Sequence, residues 1–114
     1  MRRRWEFWDV RRLSKELDSV PQSDRLDLLD AMDAFLKLEG INYQVDTYAT
    51  GIKRLRHTNH SSGRCLFFIE ERTRNGETVL IALTIYKKEK DEVPTQIMER
   101  AMRRKAEWQR KKTT

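Results

Sequence analysis

The chain has 114 residues, 37% charged and 38% hydrophobic, with Gly 4, Pro 2 and Cys 1. That suits one compact domain spanning 1–114 and excludes collagen-like, low-complexity and disulfide-stapled chains, while no apolar run approaches the roughly 18 residues of a membrane helix. Net charge is +6 and uneven: residues 1–50 hold 8 basic and 10 acidic side chains, residues 51–114 hold 16 and 8.

The basic start, Met1 to Arg4, has the flank of a signal peptide but no apolar stretch behind it. With a lone Cys65 unable to form an internal bridge, the expectation is a cytoplasmic protein without a membrane association. The aromatic stretch from Trp5 to Trp8 suggests a short first strand whose indoles pack on the sheet. Val10, Leu13, Leu17 and Val20 then recur at helical spacing behind a capping Asp9, and Pro21 ends the run. Ser23 or Asp24 is placed to cap a second helix with a stripe of Leu28, Leu29, Met32, Phe35 and Leu36. Asp24, Asp27, Asp30 and Asp33 read as its solvated face, and Gly40 as its stop.

The pattern changes at Tyr43. Ile52 to His57 reads as a strand and Asn59 to Gly63 as a polar loop. Arg64–Arg72 and Glu77–Lys87 form a hairpin about Asn75-Gly76. In the second of these runs simple alternation puts Val79, Ile81, Leu83 and Ile85 on one face and Leu80, Ala82, Thr84 and Tyr86 on the other. Both faces are mostly apolar, so the strand belongs in the middle of the sheet. A last helix starts near Pro94, with Ile97, Ala101, Lys105 and Trp108 along one face and a frayed basic end over about 108–114. The predicted fold is α+β: two N-terminal antiparallel helices, a small antiparallel sheet and a C-terminal helix.

Metal chemistry is not expected, because His57, His60 and Cys65 fall short of a four-ligand set, and no cofactor motif appears. Cys65 lies in an apolar run and reads as a buried structural thiol. What remains is a set of cations on the sheet: Arg54, Arg56, Arg64, Lys87 and Lys88, with His57, His60 and Tyr86 among them. Such groups suit RNA cleavage without a metal. The ribose 2′-OH is the nucleophile, arginine and lysine stabilise charge growing on the phosphoryl oxygens, and histidine, tyrosine or lysine moves protons.

Gly51-Ile52-Lys53-Arg54-Leu55-Arg56, Arg64 opening an apolar strand, Tyr86-Lys87-Lys88 and the run from Pro94 to Ala101 occur in an order that resembles the RelE/ParE toxin superfamily, in particular its phage-derived HigB-like branch. The resemblance covers roughly residues 10–110 and implies a RelE-like, microbial-RNase-type fold. It further implies the toxin of a type II toxin–antitoxin system, an mRNA interferase cutting ribosome-bound message and thereby inhibiting translation. Its partners would be mRNA, the ribosome and a cognate helix-turn-helix antitoxin, with operator DNA reached only through the antitoxin complex. By position, Arg56, Arg64, Lys87 and Lys88 take the phosphate-binding and transition-state roles. Tyr86 takes the aromatic position, and His57 and His60 are candidate proton carriers. Lys53, Arg54, Arg103 and Arg104 complete the expected RNA-binding set. Two positions depart from the family pattern: Arg54 stands where an acid is usual, and Gly63 where a tyrosine is usual. The superfamily also holds gyrase inhibitors that cleave nothing, so a ParE-like inhibitor and a plain basic nucleic-acid-binding protein are the alternatives.

Overall fold

The computed structural model describes residues 2–72 and 74–112. Along the chain come β1 (Arg2–Phe7), α1 (Val10–Asp18), α2 (Gln22–Lys37), β2 (Tyr43–Thr47), a 3-10 turn (Ala49–Gly51), β3 (Lys53–His57), β4 (Gly63–Arg72), β5 (Glu77–Lys87) and α3 (Thr95–Lys112). The chain is α+β. The expected arrangement of helices at the N-terminus and a small antiparallel sheet does not hold. The N-terminus is a six-residue strand, and the sheet is five-stranded and mixed, in the order β1-β5-β4-β3-β2. β1 runs parallel to β5, from Arg2 beside Glu77 to Phe7 beside Ala82, and every other neighbour is antiparallel. Two aromatic anchors hold β1. Trp5 packs edge-on against Phe67 and donates its indole N–H to the Met32 carbonyl at 3.0 Å. Trp8 donates to Glu107 at 2.9 Å.

Helices cover both faces of this sheet. α1 and α2 bury Leu13, Leu28, Met32 and Phe35 against Leu55, Cys65, Phe67, Leu80, Ala82 and Ile85. On the opposite face α3 packs Ile97, Ala101 and Trp108 against Leu66, Phe68, Val79, Ile81, Leu83 and Tyr86. Apolar side chains on both faces explain why β4 and β5 read as near-continuous hydrophobic runs. No helix among the described residues is long and apolar enough to cross a membrane.

Asp9 caps α1, accepting from the Arg12 backbone N–H at 3.1 Å. α2 departs from the expected start: it begins at Gln22 behind Pro21 with no side-chain cap, which leaves the Asp24 carboxylate available elsewhere. It ends with Leu38 in the left-handed region at φ 55°, two residues before Gly40. α3 stays helical to Lys112 rather than fraying from Trp108, whose indole donates to Glu70 at 3.2 Å, while 113 and 114 lie outside the described residues.

One irregularity decides the layout of the site. Leu66 pairs with Thr84 but Phe67 with Ala82, so Leu83 is an extra residue in β5. A bulge of this kind breaks the two-residue alternation. Ile85 therefore joins Leu80 and Ala82 under α1 and α2, and Tyr86 joins Val79, Ile81 and Leu83 under α3, the reverse of what simple alternation predicts. β1 has ended by this point, so the bulge lies on an open edge. The carboxylate of Glu16 accepts from the Ile85 backbone N–H at 3.0 Å and from the Thr84 hydroxyl at 2.8 Å. Arg104 donates to the Leu83 carbonyl at 2.9 Å and pairs with Glu16 at 2.8 Å. Side chains thus satisfy the backbone groups that a further strand would otherwise take.

Candidate phosphate-binding cleft

Beyond the bulge, Tyr86 sits opposite Arg64 across the β4–β5 ladder. β3 presents Leu55 to the α1–α2 core, and Arg54 and Arg56 alternate to the other face. Together with Lys88 these residues line a cleft of about 480 Å³, whose second wall is the loop Thr58 to Ser62 and whose rim carries Asp91. The structure therefore brings together Arg54, Arg56, Arg64, Lys88 and His60 from the predicted set, with Tyr86 beneath them. Lys87 is exposed and does not line the cleft, because the alternation that turns Lys88 in turns Lys87 out.

His57 also stands apart from the cleft. Its Nδ1 accepts from the Asn59 backbone N–H at 3.1 Å, and its Nε2 faces the Asp30 carboxylate at 3.3 Å. It joins the loop to α2. Lys53 donates to the Thr47 hydroxyl at 2.9 Å on the neighbouring strand. Arg104 is buried, with its guanidinium 4.1 Å from the Trp8 ring centroid, and so has little surface for RNA; Arg103 is exposed on α3.

The charges in the cleft are compensated unequally. Arg54 pairs with Asp46 at 2.8 Å and donates to the Asp91 carbonyl at 2.8 Å. Lys88 pairs with the Asp91 carboxylate at 2.9 Å. Arg56 donates to the Gln44 side chain at 2.6 Å and has no carboxylate within salt-bridge range among the described residues. Arg64 is the extreme case. Its residue is 5% exposed, its Nη1 donates only to the Ser61 and Gly63 carbonyls, and its buried Nε has no partner. Burial, together with the charges of Arg54 and Arg56, holds its pKa below the ordinary guanidinium value. A guanidinium nevertheless remains protonated, so the site holds a buried cation with no carboxylate in salt-bridge range among the described residues, Asp46 acting on it only from a distance. The Tyr86 hydroxyl is likewise buried and makes no well-formed hydrogen bond, and burial raises its pKa against the opposing pull of the neighbouring Arg54 guanidinium.

The loop wall rests on residues that were expected to form only a solvated face. Asp24 accepts from the Ser61 hydroxyl and the Ser62 backbone N–H, both at 3.1 Å, and from the Ser62 hydroxyl. Asp27 accepts from the Ser61 hydroxyl and from Asn59 at 3.1 Å. These bonds hold both carboxyls below their usual pKa, with Ser62 the main cause at Asp24 and Ser61 at Asp27. Because the Ser61 carbonyl in turn accepts from Arg64 at 2.6 Å, α2 fixes the guanidinium through this loop. The sequence signal was the pairing of an aspartate comb at three-residue spacing with a Ser/Asn-rich loop. Gly63 makes the approach possible. A Cβ there would meet the Leu28 Cβ at 3.1 Å and the Asp24 carbonyl at 3.2 Å, so any larger residue would push α2 and the loop apart by a few tenths of an ångström.

Cys65 is fully buried and its thiol pKa is pushed up by burial, consistent with a packing role. Among the described residues no group of three or more His, Cys, Asp or Glu is placed to hold a metal ion. Compared with known proteins, the chain matches no family model and no curated relative.

Proposed function

We propose that the cleft binds the phosphodiester of an RNA strand and that the protein is an endoribonuclease, the toxin of a type II toxin–antitoxin pair acting on ribosome-bound message in the cytoplasm. The observation that carries this reading is the buried Arg64 guanidinium, with an unpartnered Nε and no carboxylate in salt-bridge range among the described residues, beside Arg56. Leaving a buried charge unpaired is unfavourable by several kcal/mol, and an arriving phosphoryl group offers two oxygens to such donors. The order of residues that resembles RelE/ParE toxins supplies the biological setting. Its partners are a helix-turn-helix antitoxin, the ribosome and message, with operator DNA contacted only through the antitoxin.

The reaction uses the nucleophile that RNA carries. The 2′-oxygen attacks the adjacent phosphorus and the P–O5′ bond breaks. This leaves a 2′,3′-cyclic phosphate on one fragment and a 5′-hydroxyl on the other. Negative charge grows on the phosphoryl oxygens, where Arg56, Arg64 and Lys88 stabilise it. A base takes the 2′-OH proton and an acid supplies one to the 5′-oxygen. His60, the imidazole in the cleft, takes one of these two roles, and Lys88 is placed in the same cleft for the other. Tyr86 supports the Arg54–Arg64 pair from below.

The test is inducible expression of wild type beside Arg56→Ala/Lys88→Ala, following growth and mapping message 5′ ends. Wild type arrests growth and produces new internal ends, and both effects disappear in a variant whose circular dichroism is unchanged. Arrest without new ends moves the reading to a gyrase-type inhibitor. Message left intact by purified protein on ribosomes overturns the nuclease reading.

A further inference from the structure

The segment between β5 and α3 reads Lys88-Glu89-Lys90-Asp91-Glu92-Val93-Pro94, and it is fastened across the mouth of the cleft at two points. The Asp91 carbonyl accepts from Arg54 at 2.8 Å, and the Asp91 carboxylate pairs with Lys88 at 2.9 Å. An exposed ion pair three residues apart is ordinarily worth little. Here both cations belong to the cleft, and Asp91 is one of its lining residues. The field of Arg54 and Arg64 adds to that of Lys88 in holding the carboxyl below its usual pKa.

We infer that Asp91 is an internal stand-in for the ligand, a carboxylate held on Lys88 at the rim of the cleft until a phosphate displaces it. This rests on the phosphate-binding reading of the cleft and adds a selectivity to it. A single small anion must compete with a tethered carboxylate at high effective concentration. A strand bearing several phosphates engages Arg56 and Arg64 as well, and so outcompetes it. Asp91 is thus a specificity residue, setting the site against free phosphate and in favour of a polyanion. Its tether allows the displacement, since the side chain is 96% exposed and can swing into solvent.

The experiment compares wild type, Asp91→Asn and Glu89→Gln, each with the same loss of one negative charge. Glu89 is exposed in the same segment but does not line the cleft. Two probes are titrated at low salt: inorganic phosphate, and a 2′-O-methyl decanucleotide that cannot be cleaved. Asp91→Asn binds phosphate roughly three- to tenfold more tightly and the oligonucleotide by a smaller factor, whereas Glu89→Gln changes either by less than about twofold. Equal gains in both variants mean that only net charge matters, and overturn the inference. So does unchanged phosphate affinity in Asp91→Asn. A gain in phosphate affinity from a protein that never cuts message supports the inference while sinking the nuclease reading. Cleavage with no gain does the reverse.

Discussion

Two arginines are buried to nearly the same degree, Arg104 at 6% exposure and Arg64 at 5%, and they are treated in opposite ways. Arg104 has a carboxylate at 2.8 Å, a backbone carbonyl at 2.9 Å and an indole face at 4.1 Å. Its charge is neutralised within the fold, and the pair closes the open edge of the sheet. Arg64 has two carbonyls, a bare Nε and no carboxylate in salt-bridge range among the described residues, and the repulsion of Arg54 and Arg56 outweighs the more distant pull of Asp46. The first arrangement is complete without a ligand. The second is the one the proposed function completes with an anion, and this difference separates architecture from candidate site more sharply than net charge does.

The comparison breaks most visibly at Glu16. Removing its carboxylate strands Arg104 and the Ile85 N–H together, so Glu16→Ala loses about 3–5 kcal/mol of stability in chemical denaturation. At Arg64 the expectation is opposite. Arg64→Met removes, at similar length, a buried charge that no carboxylate pairs, so stability in the same assay is unchanged or rises by about 1 kcal/mol, while oligonucleotide affinity falls roughly 10- to 100-fold. A loss of stability comparable to that of Glu16→Ala would show that Arg64 is structural.

A smaller effect sharpens the role of the bulge. Lys88→Ala weakens oligonucleotide binding about three- to tenfold, and Lys87→Ala by less than about twofold, since only Lys88 lines the cleft. The smallest effect is in acid. The folded-state pKa of Asp24 is lowered, so its contribution is present above the ordinary carboxylate value of 3.8 and is lost as pH falls through the lowered folded value. Wild type therefore loses thermal stability more steeply than Asp24→Asn across that range, and matching slopes would remove Asp24 from the wall.

Local chemistry was legible where it stayed local. Asp9 caps α1, Pro94 precedes α3, and the β5 run ends where the apolar residues end. β2 went unrecognised because its five residues carry only Tyr43 and Val45 as apolar positions, and its pairing partner β3 is what makes it a strand. The sheet was expected to be antiparallel because hairpin signals lie close together in sequence. The parallel pairing of β1 with β5 instead joins residues about 75 positions apart and leaves no local mark. Arginine type and position pointed to the cleft, but no single-residue property distinguished Arg64 from Arg104. That distinction rests on which carboxylates the fold brings near, and Glu16 and Asp24 reach their partners only across elements.

The extra residue at Leu83 also bears on how such a site can change over generations. Upstream of it β5 is bound into the ladder with β1; downstream, the pairing with β4 alone decides which side chains face which layer. Deleting Leu83 would remove the bulge and leave Thr84 to Lys87 opposite the same β4 residues, with Ile85 and Tyr86 facing the same layers as before. The extra residue is thus one the site can lose without rewiring, whereas a one-codon deletion just beyond it, at Ile85, would move Lys87 into the place of Tyr86 and Lys88 into that of Lys87.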